Sequence, residues 1–124
     1  SLALILLFDQ FTRNMFRDTA RAFSADGKAR EIARHMIERG FYGELNKFQK
    51  QFAALPFEHS EDLEDQKLSV ELFKALGDAE LLDYAEKHYV IIERFGRFPH
   101  RNKQLGREST PEEKEFLTQP NSSF

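Results

Sequence analysis

From Leu2 to Phe8 every residue is apolar, and polar side chains begin only with Asp9, Gln10, Thr12, Arg13 and Asn14. A helix apolar on all sides is a buried one, so the pattern predicts a buried helix over Leu2–Asn14. The run is far shorter than the roughly 20 residues a membrane span needs, and it lacks the basic start and small-residue cleavage site of a signal peptide. Ala25, Ala29, Ile32, Ala33, Met36 and Ile37 then recur at helical spacing, with Gly40 where a left-handed cap belongs, which predicts a second helix over Ser24–Arg39.

Further along, cap residues divide the apolar stripes. Asn46 with Gln49 reads as a capping box for a short helix carrying Phe48, Phe52 and Leu55, which Pro56 is expected to end. Ser60 is the expected cap of a fourth helix, whose first turns hold Glu61, Asp62, Glu64 and Asp65 and which closes at Gly77. Asp78 caps a fifth, in which Leu81, Ala85, His88, Tyr89, Ile92 and Phe95 share a face before Gly96. Thr110, Pro111 and Glu113 start a last short helix over Pro111–Thr118. No stretch alternates as a strand does, so the fold class is all-α, a stack of helix hairpins. Residues 1–119 read as one helical domain and 120–124 as a frayed tail.

Composition adds constraints. The 124 residues suit one domain, and 40% hydrophobic content with 13 phenylalanines supplies a core. With no cysteine, disulfides, iron–sulfur clusters and thiol catalysis are excluded, and a cytoplasmic location is expected. A net charge of −3 argues against nucleic-acid binding through the overall field, so no DNA partner is expected. Oligomeric state is not encoded in any of these features.

Three polar clusters remain to be explained. In the first, Asp9 and Arg13 are spaced to face each other on a helix, as are Gln10 and Asn14; Arg13 and Asn14 then offer donors to an anionic or amide ligand, or the pairs brace the helix. The second is His59-Ser60-Glu61-Asp62, followed by Asp65 and Gln66. Consecutive residues do not form a catalytic triad, and with Ser60 given to the cap the free chemical groups are His59 and Glu61. The H-x-E spacing of zinc deaminases lacks its cysteines here. The third runs from Arg94 to Arg107, with five lysines and arginines and no acid. Arg97, His100, Arg101, Asn102 and Arg107 there present donors to a phosphate or carboxylate, or they pair with the acidic start of the fourth helix. His59, Glu61 and His100 suit a divalent ion in type, but no fixed ligand spacing supports a metal, and no cofactor is expected. His35 and His88 read as ordinary face or core residues.

Taken together, L-F-D-Q-F-T-R-N at Leu7–Asn14, L-P-F-E-H-S-E-D-L-E-D-Q at Leu55–Gln66, and R-F-G-R-F-P-H-R-N with G-R-E-S-T-P-E-E between Arg94 and Glu113 resemble the domain-of-unknown-function 924 family of bacterial proteins. Thr12 stands where the family usually has proline. The resemblance covers Leu2 to about Leu117 and implies a tetratricopeptide-like, right-handed helical superfold, together with an N-terminal portion missing here. The tetratricopeptide consensus residues themselves are absent at the required offsets.

Two functions follow from these patterns. One is a small-molecule site for an anionic ligand, with Asp9, Gln10, Arg13, Asn14, Arg97, His100, Arg101, Asn102 and Arg107 binding and His59 and Glu61 carrying protons. The other is a helical scaffold that takes a peptide or partner protein, with the polar clusters as internal bracing.

Overall fold

In the computed structural model, most helices start at side chains able to cap them. The structure describes all residues except Ser1, Phe16, Asp18, Thr19, Ser24, Asn121 and Phe124, and all side chains of the remainder except those of Phe8, Phe11, Thr12, Arg13 and Ala20. The helices are α1 (Leu2–Leu6), α2 (Thr12–Met15), α3 (Asp26–Glu38), α4 (Lys47–Glu58), α5 (Leu63–Leu76), α6 (Ala79–Phe95) and α7 (Pro111–Phe116). A π turn, Leu7–Phe11, joins α1 to α2, and 3₁₀ turns occur at Ala20–Phe23, Tyr42–Glu44 and Pro99–Arg101. Among the described residues there is no strand, and no helix is long and apolar enough to cross a membrane.

Both expected capping boxes form. Asn46 Oδ1 accepts from the Gln49 N–H at 2.8 Å while Gln49 accepts in return, and Thr110 does the same with Glu113. Gly77 and Gly96 end α5 and α6 at φ of +73° and +72°, where a Cβ is strained. Asp78 caps α6 as expected.

Three expectations change, and a fourth lies outside the described residues. Asp62, not Ser60, caps α5, accepting from the Asp65 N–H at 3.1 Å. Pro56 sits inside α4, which runs on to Glu58. In the last turn its missing N–H removes one helical bond, and His59 still donates to the Leu55 carbonyl at 3.0 Å. The expected start of α3 at Ser24 lies outside the described residues; the helix begins at Asp26 behind Ala25, which supplies no side-chain cap. The first segment is neither uniform nor buried all round: Ile5 is buried, Leu4 and Leu7 are exposed, and a π turn interrupts it.

Successive helices α4, α5 and α6 pack on one another, and α1 and α3 pack against the side of α4. Ile5, Ala33, Met36, Ala53 and Phe57 form one core cluster, Ala54, Phe73 and Ala85 a second, and Ile91, Ile92 and Phe98 a third. Phe57, Phe73 and Phe98 are each fully enclosed, a burial that contributes about 2 kcal/mol apiece. Phe48 does not join them: it is 68% exposed and meets only the edge of Phe52 on its own helix. In the tail, Ser122 is buried and donates to the Leu117 carbonyl at 3.2 Å.

Candidate functional site

The C-terminal end of α4 brings titratable groups into the interior. Asp9 lies on the π turn, is 1% exposed, and accepts from His59 Nδ1 at 2.8 Å. A π turn is wider than an α turn and shifts each later side chain around the axis, so Asp9 faces the end of α4. Gln10 donates to the other Asp9 oxygen, and Asn14 is exposed, accepting from Arg17. Because a carboxylate only accepts, His59 donates its Nδ1–H to Asp9, which leaves Nε2 as the ring nitrogen not engaged by Asp9.

Beside His59 stands Glu58, 4% exposed, with an oxygen 3.4 Å from His88 Nδ1. His88, 5% exposed on α6, gives that Nδ1–H to the Tyr84 carbonyl at 2.7 Å. Burial, with the negative charge of Asp9 added, pushes the Glu58 carboxyl up to about 8. Burial likewise brings the His88 imidazole down to about 3 against the opposing effect of its bond to the Tyr84 carbonyl, with positive potential from His100 and Arg101 added. Both groups are therefore uncharged at neutral pH.

Among the described residues, Glu58, His59 and His88 are polar residues that line a groove of about 520 Å³. The apolar Leu55, Phe73 and Leu81 line it as well, with Gln51, Tyr84 and Ser123. Of Glu58, His59 and His88, His59 is the most exposed, its side chain at 18%.

Two buried residues hold this end of α4 in place. Gln66 Nε2 donates to the carbonyls of Glu58 and Ser60 at 2.6 and 2.7 Å, closing the chain turn around His59. Arg101 donates to the His59 carbonyl at 2.7 Å, and its guanidinium is sandwiched between the rings of Phe23 and Phe98 at 4.5 and 4.7 Å. An Asp26 oxygen lies 3.9 Å from the same group. Ser60 donates to Asp65, which also binds Arg34 at 2.6 Å, so the acidic start of α5 is matched by arginines of α3.

The arginine-rich loop is braced against the protein itself. Arg107 grips Glu61 through two nitrogens at 2.9 and 3.0 Å, and Glu61 also accepts the Phe98 N–H. Burial raises the Glu61 carboxyl, but these bonds and the charges of Arg101 and Arg107 outweigh it and leave it below its usual value. Arg97 grips Glu113 with two nitrogens, and Asn102 donates to Ser109 while accepting from Arg107. The Arg97 contact takes Glu113 down to about 2 against the effect of its burial.

Of the residues singled out in the sequence, Asp9 and His59 thus meet, Gln10 joins them, and Arg101 supports them from behind. Glu61, Arg97, Asn102 and Arg107 form a separate brace, Asn14 stands apart, and His100 packs beside Phe98. The Arg13 side chain lies outside the described residues. Glu58 and His88 were missed. The available signal was a histidine inside the apolar stripe of α6, where a titratable group has no packing reason to be. Among the described residues no group of three or more His, Asp or Glu has the arrangement to hold a metal.

Comparisons with known proteins agree with the helical fold. A solved structure from Agrobacterium tumefaciens, a protein of unknown function designated ATU0120, is 46% identical and superposes with a TM-score of 0.89. The likeness covers 94% of this chain and 65% of that one, so this chain spans just under two thirds of its neighbour's length. Residues 1–121 match a family described as a bacterial protein of unknown function, DUF924. No curated protein matches.

Proposed function

This chain belongs to the DUF924 family of bacterial proteins, and on that premise we propose that the groove at the end of α4 is a small-molecule site in which His59 and Glu58 exchange protons with the ligand. The observation that carries the reading is the Asp9–His59 hydrogen bond at 2.8 Å. It orients an imidazole on a groove wall with Nε2 as base, while the neighbouring Glu58 stays protonated as an acid. Asp9 is here a positioning residue, and Arg101 and Gln66 hold the backbone that carries His59.

On this reading the second proton carrier, beside His59, is Glu58 in place of Glu61, whose oxygens are occupied by Arg107 and the Phe98 N–H. The same occupancy moves the ligand away from Arg97, Asn102 and Arg107, and with it the case for an anion. A fragment panel followed by NMR of the histidine rings tests the reading. Binders are expected to shift His59 and His88 together and to lose affinity in His59→Ala; hits that leave both rings unmoved contradict it.

A peptide or protein scaffold is the second reading. The closed network of Glu61, Arg97, Asn102, Arg107 and Glu113 favours it, since bracing of that kind needs no ligand.

A further inference from the structure

On the small-molecule reading above, which this step rests on, what governs entry to the groove matters as much as what lines it. Among the described residues that line it, all but Ser123 lie on α4, at its cap His59, on α5 or on α6. Ser123 comes from beyond α7, so a segment distant in the chain from those helices supplies part of the lining.

The end of α7 fixes where that segment starts. The Phe116 ring packs on Phe95 at 5.1 Å and against the Ile91, Ile92 and Phe98 cluster. Past the helix, Thr118 and Gln119 still donate their N–H groups to the Glu115 and Phe116 carbonyls. Ser122 then turns back: it is 7% exposed, and its hydroxyl donates to the Leu117 carbonyl at 3.2 Å. The segment is thus anchored firmly by aromatic packing at Phe116, whereas the tie at Ser122 is a neutral hydroxyl bond at the long end of the usual range. A serine side chain also buries little apolar area. Segments held in this way open locally at low cost while the core around them stays folded.

We infer that Ser122 and Ser123 regulate access to the His59 groove. While the Ser122 hydroxyl rests on the Leu117 carbonyl, Ser123 stands at the groove and restricts what reaches His59; release of that bond widens the approach.

The rate at which diethyl pyrocarbonate modifies each histidine of this chain at neutral pH, mapped by mass spectrometry, tests the inference. His35 is exposed on α3 and serves as the internal standard. Ser122→Ala is expected to raise the His59 rate about fivefold relative to His35, the change in an open population that follows the loss of one neutral hydrogen bond. Ser122→Thr keeps the hydroxyl and is expected to stay within about twofold of the parent. Ser123→Trp is expected to slow His59 and leave His35 alone. A His59 rate unchanged in Ser122→Ala or in Ser123→Trp overturns the inference, as does an equal rise in Ser122→Ala at His100, which does not line the groove. Because no ligand is needed, such a failure leaves the small-molecule site to the fragment panel; a panel without binders removes the site, and its regulation with it.

Discussion

Asp9 and His59, fifty residues apart in the chain, meet at 2.8 Å, and the contact exists because a π turn aims Asp9 at the end of α4. One aspartate so placed fixes the tautomer of a histidine that would otherwise be one more polar residue at a helix end. The proposed proton exchange at His59 depends on that contact.

Glu58 makes stability fall as pH rises. Its carboxyl is raised from 4.5 to about 8, so the folded chain holds a proton that the unfolded chain has released between these values, and stability present below pH 4.5 is lost on approaching pH 8. At about 1.4 kcal/mol per unit the effect reaches a few kcal/mol. Urea titrations should show Glu58→Gln removing this slope and gaining on the parent most at pH 8; equal slopes in the two proteins contradict the burial of a neutral acid.

His88 acts in the opposite direction. Lowered from 6.5 to about 3, it contributes stability that is complete above pH 6.5 and lost as pH falls toward 3. Acid melting curves of His88→Asn should lack that loss, although removing the ring from its contact with Phe98 lowers stability at every pH.

Gln66 closes the turn that carries His59. Replacing it with alanine leaves the Glu58 and Ser60 carbonyls, which it now serves, without that donor. The expected cost is about 2–3 kcal/mol by denaturant unfolding, with a ring shift at His59. A cost below about 0.5 kcal/mol shows that these carbonyls find other partners.

The Arg97–Glu113 grip is an acid-sensitive brace. Glu113, lowered from 4.5 to about 2 by Arg97, contributes stability that is full above pH 4.5 and is lost as pH falls toward 2. Glu113→Gln should flatten that part of the acid limb and also weaken the start of α7, where Glu113 accepts from the Thr110 N–H. Small-molecule binding at His59 should be unchanged by it.

Helix order, both capping boxes and the glycine stops at Gly77 and Gly96 were legible in the sequence, because each is a local signal read over a few residues. The π turn was not. Its wider bonding has no residue signature, so nothing in the spacing joined Asp9 to His59; the expected Asp9–Arg13 pair lies outside the described residues. Glu58 and His88 were hidden for a related reason: one ends α4 and the other lies mid-way along α6, and no spacing rule joins them. The arginine loop was legible as a charge cluster but ambiguous in purpose. Only geometry assigns Arg107 to Glu61, and gives Asp65 to Arg30 and Arg34 of α3.

The most direct test is the tautomer of His59, read from ring 15N shifts at neutral pH in the parent chain and in Asp9→Asn. The His59 ring is expected to carry a proton on Nδ1 in the parent and to shift toward the Nε2–H form in Asp9→Asn, accompanied by weaker groove binding. A parent ring protonated on Nε2, or one indifferent to the loss of the Asp9 charge, contradicts this expectation.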